Sequence, residues 1–200
     1  MRVLVACEYS ATVRDAFRGR GHDAWSCDFL PTDGDPEWHL IGDALEFLED
    51  GWDLLIAHPP CTYLTNSGVT WLHKDPSRWE KLDEAAGFFR QLLNAPIPRV
   101  AVENPIMHKY GKERIGGIKQ TQVIQPWMFG HMEQKATCLW LRNLPPLVPT
   151  KNVKEEMMAL PDNERQRLHY LPPSADRWKL RSTTFKGIAE AMADQWGELS

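Results

Sequence analysis

The stretch WDLLIAH, residues 52–58, constrains this chain more than any other. It is nearly all apolar, as strands are when a parallel sheet buries both of their faces. Parallel neighbours in turn require crossover connections, most often helices. Pro59 and Pro60 follow at once; they remove two backbone donors and restrict φ, so the strand must stop there. Cys61 therefore stands on a rigid corner, either as a small residue packed after a turn or as a thiol presented at a strand end.

The rest of the sequence supplies the partners such a strand needs. Residues 2–9, 23–29 and 99–104 read as further strands, and residues 121–126 and 135–141 are strand-like. Ser10 is the expected N-cap of a helix that sets Val13, Ala16 and Phe17 on one face, with Gly19 and Gly21 as its stop. A short helix is expected over 42–51. The clearest helix spans 75–96, where Trp79, Leu82, Ala86, Phe89 and Leu93 recur at helical steps. Residues 185–197 close the chain as an amphipathic helix. This alternation predicts an α/β fold with a doubly wound, mostly parallel sheet, and 200 residues suit one domain.

Cys7, Cys27, Cys61 and Cys138 are scattered without a C-x-x-C pair, so reduced thiols are expected rather than disulfides or a metal knuckle. No apolar run has the length of a membrane span, and residues 3–9 are too short for a signal core. A cytoplasmic location is the expectation. The net charge of −4 argues against nonspecific coating of nucleic acid. It is unevenly spread: residues 1–104 hold 9 Lys and Arg against 17 Asp and Glu, and residues 105–186 hold 14 against 7. The second half can present a basic face to a polyanion, or the imbalance is an ordinary solvated surface.

Ligands of doubly wound sheets bind at the carboxyl ends of the strands. Cys7, Glu8, Tyr9 and Ser10 fall there, as do Asp28, the segment His58-Pro59-Pro60-Cys61, and Glu103-Asn104. Singly, each has a bland reading as a cap, turn or packing residue. Their convergence on one rim is harder to explain that way.

The order of VACEYS, CDF, GD, PPC, VENP and FGHMEQKATCLWL is similar to the motif order of DNA cytosine-5 methyltransferases, across nearly the whole chain. That resemblance implies a Rossmann-like, S-adenosylmethionine-dependent methyltransferase fold. It implies a cofactor site from Cys7, Glu8, Ser10, Asp28 with Phe29, Asp43 and Pro59. It makes Cys61, after Pro60, the nucleophile, and Glu103 with Asn104 the acid that activates the base, with Lys135 near a basic position of the family. The chemistry needs these types: a thiolate adding to C6 makes C5 nucleophilic toward a sulfonium methyl, and a carboxyl at the N3 edge stabilises the charge of that addition. His58 and Lys135 are candidates to help Cys61 lose its proton.

Three features depart from the family. The loop from Cys7 to Ala11 contains no glycine, Thr137 stands where a second arginine belongs, and a separate recognition domain is missing. Residues 142–180, Pro-rich and carrying Arg165, Arg167, Arg177 and Trp178, read as a basic lid within one catalytic domain spanning 1–200. The expected substrate is cytosine in DNA, with no metal. The alternatives are a free cytosine nucleotide, a different transferred group, or an inactive nucleic-acid-binding module. An amino-group methyltransferase would leave Glu103-Asn104 without a role, and a cysteine hydrolase would need His108 or His131 beside Cys61. Small stand-alone relatives are often phage-borne, so the resemblance implies phage genome modification. Thr62 to Gly68 reads as a mobile loop able to close over a base.

Overall fold

The computed structural model describes residues 1–199, with the side chains of residues 67 and 68 outside the described set. Seven strands form one sheet: β1 (Arg2–Ala6), β2 (Asp23–Asp28), β3 (His39–Ile41), β4 (Leu54–Ala57), β5 (Arg99–Pro105), β6 (Gln122–Ile124) and β7 (Thr137–Arg142). The helices are α1 (Thr12–Arg18), α2 (Asn66–Leu72), α3 (Ser77–Leu93), α4 (Lys109–Arg114), α5 (Lys154–Met158), α6 (Asp162–Arg165), α7 (Arg167–Tyr170), α8 (Arg177–Ser182) and α9 (Lys186–Gly197).

The strand order is β3-β2-β1-β4-β5-β7-β6. β1 to β5 pair in parallel, while β7 runs antiparallel to both β5 and β6. This is a Rossmann-like arrangement, and the doubly wound, mostly parallel sheet expected from the strand pattern. It places the carboxyl ends of β1, β2, β4 and β5 along one edge.

The central strands are buried because their side chains alternate between two packed faces. Leu4, Leu55, Val100 and Val102 face Leu82, Ala86 and Phe89 of α3. Val3, Val5, Leu54, Ile56 and Ala101 face Val13 and Phe17 of α1 and Met192 and Trp196 of α9. Phe89 is fully buried with Trp140 edge-on to its ring, at 5.0 Å between centroids. Burial of this kind on both faces holds the loops at the strand ends in fixed relative positions.

Several local expectations are corrected. β1 ends at Ala6, because Cys7 takes a left-handed conformation with φ of 59°. Ser10 does not cap α1: the cap position is Ala11, itself at φ 60°, and the Glu8 carboxylate receives the N–H groups of Val13 and Arg14 at 2.7 and 3.1 Å. Residues 42–51 form only a short 3-10 turn, Ala44–Phe47, because Asp43 caps a segment closed by left-handed Gly51. Residues 62–65 form a turn in which Leu64 and Thr65 N–H groups bond to the Cys61 carbonyl, and α2 begins at Asn66 rather than continuing as loop. The part of that loop reading that concerns the Ser67 and Gly68 side chains lies outside the described residues.

Candidate active site

The corner after β4 is held from three sides. The His58 N–H donates to the Ala6 carbonyl at 2.9 Å, extending the β1–β4 ladder by one residue before the prolines end it. Asn104, 1% exposed, donates from Nδ2 to the Pro59 carbonyl at 3.2 Å. His108 uses both ring nitrogens, with Nε2 2.8 Å from the Tyr63 carbonyl and Nδ1 receiving the Gly111 N–H at 2.9 Å. Gly111 is required there, since a Cβ would lie 2.7 Å from the Leu64 carbonyl oxygen. Pro59 is buried and Pro60 exposed, which leaves Cys61 half-buried at the tip.

Glu103 stands at the end of the neighbouring strand β5 and bonds the His58 ring, Nδ1 to Oε2, at 2.7 Å. Both side chains are largely buried, at 10% and 17% exposure. Burial opposes charging each of them, but the mutual hydrogen bond and attraction outweigh it. Glu103 is thereby held below the ordinary carboxylate value, with Lys135 adding to the effect. His58 is held above the ordinary imidazole value, with Glu8 contributing. Each group therefore favours the charged form of the other.

The Cys61 thiol is pushed up, first by burial and then by the Glu103 charge, and drawn back by Lys135 and Arg181. Cys61 is therefore a protonated thiol at rest. His58 is engaged with Glu103 rather than the thiol, which leaves the cations as the groups that favour the thiolate. Lys135 Nζ donates to the Arg181 carbonyl at 2.7 Å. Beside Glu103, a cleft lined by Lys135, Thr137, Thr184 and Phe185 has a volume of about 10 Å³, room for about one water.

The other half of the edge follows β1 and β2. Glu8 is 4% exposed and turned inward to cap α1, and Ser10 Oγ donates to it at 3.3 Å. Burial pushes the Glu8 carboxyl up, while His58 and the two backbone donors pull it down. Cys7 is partly buried; burial and the neighbouring Cys27, Asp28 and Asp43 charges all raise its thiol pKa. Asp28 Oδ1 receives the Leu30 N–H at 3.0 Å, and Asp43 Oδ1 receives the Leu45 N–H at 3.0 Å. Among the described residues, neither Oδ2 meets a protein donor. Phe29, beside Asp28, is 73% exposed. Two half-free carboxylates and a bare aromatic ring could hold a ribose and a purine. Glu8 and Ser10 shape the loop backbone rather than face that space.

The structure thus brings Cys61, Glu103, Asn104, Lys135 and Pro59 into one cluster, and Cys7, Asp28 and Asp43 into another. Sequence reasoning missed the His58–Glu103 pair, whose only signal was an imidazole one residue beyond an apolar strand. It also missed the attachment of α8: the Tyr9 hydroxyl donates to the Lys179 carbonyl at 3.0 Å, and its ring packs on Trp178 at 5.4 Å. His131, the other histidine considered as a partner for Cys61, instead receives the Gly187 N–H at 2.9 Å through Nε2.

No family model matches the sequence, and no curated protein matches it. Among solved structures, the chain is similar to a prophage-encoded protein of E. coli described as a candidate DNA modification methyltransferase, with 14% identity and a TM-score of 0.45. That match covers 81% of this chain and 56% of the other. It is also similar to the S. pombe Dnmt2 methyltransferase, with 13% identity, a TM-score of 0.46, and coverage of 98% and 65%. The chain therefore spans less than two thirds of either protein. Residue roles rest on this chain's own geometry.

Proposed function

We propose that this protein is an S-adenosylmethionine-dependent enzyme that modifies C5 of cytosine in DNA, by methylation, through a covalent bond between Cys61 and C6. The observation that carries this reading is the juxtaposition of Cys61 with Glu103 on adjacent strand ends. The Glu103 charge acts on the Cys61 thiol, and Asn104 ties the two strand ends together through Pro59. A thiol and a carboxyl so paired suit conjugate addition to a pyrimidine.

Cys61 gives its proton to solvent, helped by the positive field of Lys135 and Arg181, and its sulfur adds to C6. The ring electrons displaced by that addition shift toward N3, where Glu103 delivers a proton and leaves a neutral, electron-rich C5. Asp28, Phe29, Asp43 and the backbone from Cys7 to Ala11 would hold S-adenosylmethionine. When bound, that cofactor would supply the electrophilic methyl group; the C5 proton then leaves to solvent and the Cys61 thiolate is expelled, which frees the base.

Residues 142–180, within a single catalytic domain, take the place of a recognition domain. The DNA reading is tested by incubating the protein with labelled S-adenosylmethionine and duplex DNA, single-stranded DNA or dCMP, then digesting and identifying nucleosides by mass spectrometry. Label at cytosine C5 in either DNA supports it. Label only in dCMP redirects it to a free nucleotide, and no modified pyrimidine in any sample overturns it.

A further inference from the structure

His58 sits at the meeting point of three charged groups. Glu103 approaches from β5 at 2.7 Å, Glu8 acts from the loop after β1, and Lys135 acts from the segment before β7. The ring cannot turn freely, because its backbone is pinned to Ala6 and its Nδ1 to Glu103. Nε2 is buried and has no protein partner among the described residues. An imidazole bonded to one carboxylate and within the field of a second is well placed to keep a proton, and a carboxylate bonded to an imidazolium is held in one orientation.

We propose that His58 is the positioning residue of this site: it orients Glu103 and resupplies the proton that Glu103 gives to N3 of the pyrimidine. This rests on the chemistry proposed above. The Cys61 thiol proton leaves to solvent, and the proton that reaches N3 comes from within the chain. As the Cys61 sulfur bonds to C6, the displaced pair reaches N3 and takes a proton from the Glu103 carboxyl group. That group receives its proton from His58 Nδ1, and the ring is left neutral. Reversal of the addition returns the proton by the same route. The resting Glu103 is ionised because the His58 ring bonds it, so the proton that it passes on is the one His58 carries.

Two measurements test this. The first follows, against pH, the rate of adduct formation with a single-stranded oligonucleotide containing 5-fluorocytosine. Wild type should give a bell, rising as Cys61 ionises and falling as His58 loses its proton. His58→Gln, which keeps a hydrogen-bond donor but cannot titrate, should lose the falling limb and run about 10²-fold slower. An unchanged bell would overturn the proposal. The second needs neither substrate nor a His58 variant: the ring is titrated by NMR in wild type and in Glu103→Gln. Its midpoint should lie above the ordinary histidine value and drop in the variant; identical titrations would overturn the pairing. Coupled titrations without any wild-type adduct would strike the pyrimidine chemistry, and the proton route with it, while upholding His58 as the group that positions Glu103.

Discussion

The two halves of the strand-end edge are built in different ways. Around β4 and β5 the polar side chains satisfy one another: His58 bonds Glu103, Asn104 holds Pro59, and Lys135 is anchored on the Arg181 carbonyl. Around β1 and β2 the work is done by backbone, with Cys7 and Ala11 in left-handed conformations and Glu8 capping α1, while Asp28 and Asp43 each keep an oxygen free. The first half is organised before any ligand arrives, as electrostatic catalysis requires. The second keeps its donors and acceptors for something to be bound. On the proposed reading, one half serves the chemistry and the other holds the cofactor.

Glu103→Gln should break the comparison most sharply. Loss of the proton donor is expected to slow base modification about 10²- to 10³-fold, with S-adenosylmethionine affinity little changed. Turnover and calorimetric binding check the two parts separately. Asp28→Ala should do the reverse, weakening cofactor binding about tenfold to a hundredfold while the 5-fluorocytosine adduct still forms. If Asp28→Ala abolished the adduct and spared cofactor binding, the division between the halves would fail.

The pH dependence of stability sharpens the same contrast. Glu103 is held below its ordinary value, so its contribution is present above the usual carboxylate range and lost as pH falls through the lowered value. His58 is held above its ordinary value, so its contribution is complete below the usual histidine range and lost as pH rises through the raised one. Denaturant midpoints followed across pH should show a plateau between these limits. Glu103→Gln should flatten both edges.

The smallest effect belongs to the strained loop. A left-handed L-residue costs about 1–2 kcal/mol, so Ala11→Gly should relieve strain, less the added flexibility of the unfolded chain. The expected net change is within about 1 kcal/mol and not destabilising, read by thermal or urea unfolding. A large loss of stability would show that the Ala11 methyl packs more than the backbone strains.

What was legible in the sequence follows from how local each signal is. WDLLIAH closed by two prolines states its own structure, and the periodicity of α3 survives because a 17-residue helix averages over many positions. β3 is a three-residue edge strand whose only support is its pairing with β2, so no pattern announces it. Ser10 was a good cap by type, yet a carboxylate two residues earlier reached the same N–H groups. The absence of glycine was visible; that Cys7 and Ala11 adopt glycine-like conformations anyway depends on surrounding bonds, such as Glu8 N–H to the Cys27 carbonyl at 3.0 Å. The antiparallel course of β7 and the His58–Glu103 bond, spanning 45 residues, are products of the assembled sheet.

Cys61 carries the central claim, and intact-protein mass spectrometry tests it most directly. Wild-type protein mixed with S-adenosylmethionine and a 5-fluorocytosine oligonucleotide should gain the mass of the methylated oligonucleotide as a stable adduct, located at Cys61 after digestion. Cys61→Ala should gain none. An adduct on another residue, or base modification by Cys61→Ala at the wild-type rate, would contradict the assignment of this thiol as the nucleophile.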